Sequence, residues 1–348
     1  MATLTARLEA SRMRRIGRSR WFRISTRLVV GGGVLIAVVA HVGTAPFLHG
    51  LLSIDARSIG AAMLLAFVAT MAAAWRWRVI AGRLGVGLRW SNAIGMYYRS
   101  QFLNSVLPGG VAGDLHRAIS HGRSSESLGQ ASRSVVIERI SGQIVQLALA
   151  LVVLASLQAR FAGYLLTVLA ISTTSLAVVV LVAFAVSRRV RRAVHHELNE
   201  LRAGLGSVAA AVQVAIASIV VIGCHAATFV VATTALGESI PPVRLLTLAL
   251  VILLGASIPL NVGGWGPREG IAGWAFALAG FGAAAGVAAS TLFGVLVFIS
   301  VAPGAIITVI AAARRHRSLG MAGASPSPTE ATQQPIAVRA DQHQEESS

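Results

Sequence analysis

Six ionisable side chains lie inside or beside apolar stretches of this chain, and they come as three adjacent sets. Asp114 and Arg117 belong to SVLPGGVAGDLHR (105–117), Glu138 and Arg139 to VVIERISGQIVQ (135–146), and Arg268 and Glu269 to PLNVGGWGPREG (259–270). Guanidinium forks match the oxygens of a phosphate, so Arg117 and Arg268 are the candidates for holding an anionic head group. Glu138 and Glu269 are then the candidates for proton or cation coupling. Ion pairing alone is the competing reading. Asp114 and Arg117 are spaced to pair within one helical turn, and a pseudo-twofold arrangement would also let Asp114 meet Arg268 and Arg117 meet Glu269. Two of the sets follow glycine clusters, Gly109, Gly110 and Gly113 in one and Gly263, Gly264 and Gly266 in the other. Glycine permits positive φ and close backbone approach, and a helix that starts after such a loop aims its free amides at whatever lies before it, which favours an anion. The plainer reading is that these glycines only make compact turns. His116 beside the first loop titrates near neutral pH in principle and is otherwise a hydrogen-bonding residue; Trp265 is placed to stack on a ligand or to pack into its own turn.

Those sets need elements to carry them, and composition says which. The chain has 348 residues, 55% hydrophobic and 12% charged, with a mean hydropathy of +0.71; soluble domains carry about 25% charged residues. Apolar runs at 28–56, charged only at Asp55, and at 58–75, 140–159, 161–187, 203–237, 245–267 and 270–313 meet or approach the ~20 residues a spanning helix needs. The sequence therefore describes an all-α polytopic membrane protein. The net charge of +17 comes from arginines, with no lysine, that flank the apolar runs, so it reads as membrane topology and not as nucleic-acid binding. Cys224 is the single cysteine, which excludes a disulfide framework and a cysteine metal site and leaves a small packing residue. The sequence implies no cofactor, and with no G-x-x-x-x-G-K motif it implies no ATP site of its own.

Arginines give the orientation. Eight precede residue 28, eight fall at 76–133, five at 188–202 and three at 314–317, whereas the alternate connections hold only Arg57, Arg160 and Arg244. The positive-inside rule then puts both termini, the 76–133 segment and the 188–206 loop in the cytoplasm. Residues 91–120 begin and end on that side and are too short to cross twice; they read as a re-entrant hairpin. Residues 245–281 enter and return from the opposite face, with GFGAAAG (280–286) as the outer turn before a last span at about 287–313. The expected architecture is about six full spans plus two re-entrant helical hairpins, arranged as an inverted repeat of residues 28–157 and 161–313. Residues 1–27 form a basic cytoplasmic segment with no small-residue cleavage site after it, so the first span is expected to stay as an anchor. Residues 314–348 are a polar cytoplasmic tail too poor in apolar residues to fold.

Along the third span, Glu138, Ser141 and Gln146 share one helical face and Gln143 sits off it; that face is expected to border a cavity or the first hairpin. Tyr97, Tyr98 and Arg99 read as interfacial anchors.

Taken in order, RSQFLNSVLPGGVAGDLHRA, VVIERISGQIVQL and SIPLNVGGWGPREG resemble the transmembrane flippase-like domain of the lysylphosphatidylglycerol synthases, shared with stand-alone bacterial membrane proteins of the UPF0104 type. The resemblance spans about residues 28–313. It implies a multi-pass protein of the bacterial inner membrane that moves lipids between leaflets, either an anionic phospholipid, aminoacylated or not, or a polyprenyl-phosphate-linked glycan. Two departures bear on the transfer. The full synthases add a soluble aminoacyl-transfer domain, and here a short polar tail follows instead, so aminoacylation is not expected. Many relatives carry an arginine in the last span, where TLFGVLVF (291–298) has Gly294, which leaves Arg139 without a counterpart. The leading functional expectation is a transporter and not an enzyme, with no histidine cluster or paired-carboxylate motif to carry catalysis. The alternative is a non-catalytic accessory protein of a cell-envelope glycosyltransferase or lipid-modifying complex, ahead of a membrane-embedded lipid enzyme.

Overall fold

A computed structural model describes residues 32–33, 36–107, 110–155, 206–256 and 265–322. The N-terminal basic segment, the span expected at 161–187, most of the loop after it, the tail beyond residue 322, and Gly109, Gly263 and Gly264 lie outside the described residues. The described chain is helical, with no strand. The part up to Ile307 forms one compact unit that contains every side chain discussed below.

The first expected span is not one helix. Residues 36–42 are helical, Gly43 takes φ +85°, and an eight-residue helix, α1 (Ala45–Leu52), begins with Pro46 in its first turn. Proline has no N–H to continue the preceding ladder, so the turn at 43–44 divides the apolar run. Helix α2 (Ala56–Arg83) starts at a capping box in which Asp55 accepts the Ser58 N–H at 2.9 Å and donates its own N–H to Ser58 Oγ at 3.3 Å. Those Ser58 bonds hold the Asp55 carboxyl below its ordinary value. Small residues, Ala62, Ala69, Ala73 and Ala74, are its buried face. They let α6 (Val208–Ala235), with Ala210, Ala217, Ala226 and Ala232 buried, lie close against it, the means by which helices pack where no hydrophobic effect drives them together.

Each of these two 28-residue helices is followed by a helix–break–helix pair: α3 (Trp90–Val106) with α4 (Ala112–Ser124), and α7 (Pro242–Ala256) with α8 (Pro267–Leu278). Both breaks fall on the glycine clusters. Within the first pair, Gly113 is so near α3 that a Cβ on it would sit 2.0 Å from the Ser100 carbonyl oxygen, so only glycine allows that approach. Each pair leads into a long helix, α5 (Leu128–Ala155) or α9 (Ala283–Ser300), and α9 runs on through Val301 into α10 (Ala302–Ala322). The spacing repeats: α2 to α6 and α3 to α7 are each separated by 152 residues, counted from Ala56 to Val208 and from Trp90 to Pro242.

Both α2 and α6 pack on α5 and on α9, and each helix pair packs on the long helix before it. Trp77, Ile80, Ala118 and Ile137 make the core on one side, and Phe229, Phe276 and Phe293, in tilted and edge contacts, make it on the other. Four described segments are long and apolar enough to cross a membrane: Ala56–Arg83, Leu128–Val153, Val208–Ala235 and Ala283–Ala313.

Candidate functional site

Glu138, fully buried on α5, is the centre of the first half's polar network. Its Oε1 accepts from Arg76 Nε at 2.8 Å and from the Tyr97 hydroxyl at 3.0 Å, and its Oε2 accepts from Arg117 Nη2 at 2.8 Å. Arg76 Nη2 also meets Oε1, and Arg76 Nη1 reaches Ser218 on α6 at 2.9 Å. One carboxylate thereby ties four helices, α2, α3, α4 and α5, and a bonded arginine adds α6. A buried ion is tolerable only when its remaining lone pairs and protons are satisfied, and here the donors converge from separate elements.

Arg117 is enclosed. It shares Asp114 Oδ1 at 3.2 Å, and its guanidinium lies 4.4 Å from the Tyr97 ring centre and 4.6 Å from that of Trp77. Its Nε and Nη1 make no hydrogen bond; ring faces cover them, a stabilisation of about 0.5–2 kcal/mol for each well-placed ring. Asp114 is held by Ser100 at 3.1 Å and Asn104 at 3.4 Å, and Asn104 also accepts the Gly113 N–H at 2.7 Å. The other Asp114 oxygen pairs with Arg139, whose side chain is 48% exposed. Three guanidiniums, of Arg76, Arg117 and Arg139, therefore face two carboxylates, and one positive charge stays uncompensated.

In the second half, Glu269 is fully buried at the start of α8. It accepts the Gly266 N–H at 2.7 Å through one oxygen and Arg268 Nε at 2.9 Å through the other. Gly266 stands at φ +118°, a conformation that glycine alone adopts without strain. Ser290 on α9 accepts Arg268 Nε at 3.1 Å and donates to Glu269 at 3.3 Å. Arg268 lies 5.5 Å from the Trp265 ring centre and 5.4 Å from that of Phe293, so Trp265 packs beside the arginine of its own turn.

The pairing accordingly runs within each half. Asp114 meets Arg117 and Arg139, and Glu269 meets Arg268; the contacts across the pseudo-twofold, Asp114 with Arg268 and Arg117 with Glu269, do not form. The reason is local, since an adjacent or one-turn partner is reached without any change in helix position. His116 approaches Ser120 at 3.4 Å.

A cavity of about 350 Å³ lies between the halves of the compact unit. Its charged lining is Arg76, Arg139 and Arg268, joined by Gly110, Asn104, Gln101, Gln143 and Gln146, with His225 on the α6 wall. Among the described residues no carboxylate lines it. Asp114, Glu138 and Glu269 stand behind the arginines they hold, and Arg117 does not reach it either. Helix α5 turns Arg139, Gly142, Gln143 and Gln146 toward the cavity, while Glu138 and Ser141 face the protein. The polar face expected to join Glu138, Ser141 and Gln146 is thus divided, and Gln143 belongs to the cavity side.

Tyr97 is not an interfacial anchor; its hydroxyl is inside, on Glu138. Arg76 and His225 are the site residues that sequence reasoning missed. Arg76 was counted among the cytoplasmic arginines because it ends an apolar run, yet it is 6% exposed and paired. The available signal was WRWR (75–78): residues two apart point to opposite sides of a helix. Arg78 turns out to the Leu88 carbonyl at 2.7 Å and the Trp90 ring, while Arg76 turns in.

Two glycines make room for the cavity arginines. A Cβ on Gly142 of α5 would lie 2.6 Å from Arg76 Nη1, and one on Gly294 of α9 would lie 2.2 Å from Arg268 Nη2. They are 152 residues apart, the interval that separates α2 from α6.

Long apolar helices around a buried, ion-paired polar centre define a multi-pass integral membrane protein. Residues 24–304 match the family described as the lysylphosphatidylglycerol synthase TM region, and the chain belongs to that family. Comparisons with curated proteins and with solved structures returned no match.

Proposed function

We propose that this chain is a transporter that moves lipids between the leaflets of the bacterial inner membrane, binding an anionic head group in the central cavity. In this reading the two helix–break–helix pairs are re-entrant hairpins of an inverted repeat, and both termini are cytoplasmic. The observation that carries it is the lining, which among the described residues has three guanidiniums, several amide side chains and no carboxylate around about 350 Å³. That volume is at the small end for ligand sites, which suits a phosphate and its immediate ester better than an entire glycan. A phosphate would draw on Arg139, Arg76 and Arg268, with Gly110 and Gly113 shaping one approach and Gly266, after Gly263 and Gly264, the other. Glu138 and Glu269 hold these arginines in place. Arg117 acts one step back, as the counter-ion shared by Glu138 and Asp114.

Purified protein in liposomes with a fluorescent anionic phospholipid tests the proposal. Leaflet transfer is expected, slowed about tenfold or more by Arg139→Gln and Arg268→Gln if each removes one charge-assisted bond. A polyprenyl-phosphate glycan offered in the same assay distinguishes the two lipid classes. Absent transfer of either lipid by well-folded protein, together with a co-purifying envelope enzyme, would favour the accessory role.

A further inference from the structure

The cavity has one titratable side chain that the arginine network leaves unused. His225 lies well inside α6, a 28-residue apolar helix, and lines the same space as Arg76, Arg139 and Arg268. Its imidazole makes no hydrogen bond to a described residue, and Arg76 is the charged group that acts on it. The residue 152 positions earlier, Ala73 on α2, lines the cavity too. A methyl group therefore satisfies the packing on the matching wall, and the histidine is present on one side only. A polar ring at this depth requires a partner, and no described residue supplies one.

We propose that His225 takes up a proton from water when an anionic head group enters the cavity, so that anion and proton bind together. The inference rests on the head-group reading above. The ionisable groups around the ring are Arg76 from α2, Tyr97 from α3, Arg139 from α5 and Arg268 from α8; α7 and α9 contribute only apolar and hydroxyl groups to this space. The nearest carboxylates are engaged behind the arginines. In the empty cavity a proton on His225 would add a fourth positive charge with nothing opposite it. An anion reverses that balance: the imidazole gains one N–H, which it donates to the ligand oxygen, and no other bond changes. By linkage, the factor by which the anion tightens proton binding equals the factor by which the proton tightens anion binding.

Calorimetry with dihexanoyl phosphatidylglycerol, on the full chain in a zwitterionic detergent, reads both halves of that statement. Affinity is expected to be about tenfold higher at about pH 5.5 than at about pH 8, either side of the ordinary histidine value. Titrations in buffers of different ionisation enthalpy should show net proton uptake on binding. In His225→Gln, affinity should stay at the wild-type alkaline level at both pH values and uptake should vanish. Binding by wild type with no pH dependence and no uptake overturns the inference and leaves the head-group reading standing, as does uptake that persists in His225→Gln. No binding by wild type at either pH overturns the head-group reading and this inference with it. If His225→Gln does not fold, His225→Ala takes its place, and absent uptake by wild type overturns the inference without either variant.

Discussion

At the scale of single residues, the charges within the helices divide into those that hold and those that are presented. Glu138 holds: removing its charge strands Arg76 and Arg117, both buried, with one fewer anion between them. Breaking a buried pair from one side costs about 3–5 kcal/mol, so Glu138→Gln is expected to lower the thermal midpoint in detergent by more than any single arginine substitution on the cavity wall. Arg139, anchored on Asp114 and half-exposed to the cavity, presents its charge; Arg139→Gln should reduce lipid transfer with little change in midpoint. Gly294→Ala separates the two roles on the other side. The new methyl meets the Arg268 guanidinium and must displace it, at about 1–3 kcal/mol for overpacking. Its expected readout is about tenfold weaker head-group binding, with Gly294→Ser no better.

At the scale of elements, the two helix–break–helix pairs depend on contact between their arms. Gly113 lets α4 touch the backbone of α3 at Ser100, and neither backbone yields to a side chain. Gly113→Ala should therefore destabilise the pair by at least about 1–3 kcal/mol, seen as faster hydrogen exchange of α4 amides while α6 and α9 stay protected. These pairs were legible in the sequence, because paired glycines beside a proline stand out in apolar surroundings and helices cannot continue through them. The division of the first apolar run at Gly43 was less so. A single glycine before APF has the same appearance as an ordinary residue of a spanning helix until the backbone angle is known.

At the scale of the whole molecule, the interval of 152 residues from α2 to α6 and from α3 to α7, and the packing of α2 and α6 on both α5 and α9, support the proposed inverted repeat. Orientation is the property to test. In a Cys224→Ser background, Ser124→Cys lies at the C-terminal end of α4 and Ser239→Cys lies between α6 and α7. With both termini inside, a membrane-impermeant thiol reagent added to intact cells is expected to label Ser239→Cys and to reach Ser124→Cys only after lysis. Labelling of both sites from outside would sink the arrangement.

Composition, hydropathy and arginine counts were enough to establish a helical membrane protein, its helical breaks and most of its buried charges, because each is a property of neighbouring residues in a chain surrounded by lipid. Asp114, Glu138, Arg268 and Glu269 could be named from the sequence for that reason. So could the one-turn pair of Asp114 with Arg117, but the partners on other helices could not. Which arginine meets which carboxylate depends on how α2, α3, α4 and α5 are rotated against one another, and a rotation of one residue moves a side chain about 100° around its helix. That rotation buried Arg76 on Glu138, withdrew Arg117 from the cavity, turned Arg139 toward it and put His225 on the facing wall.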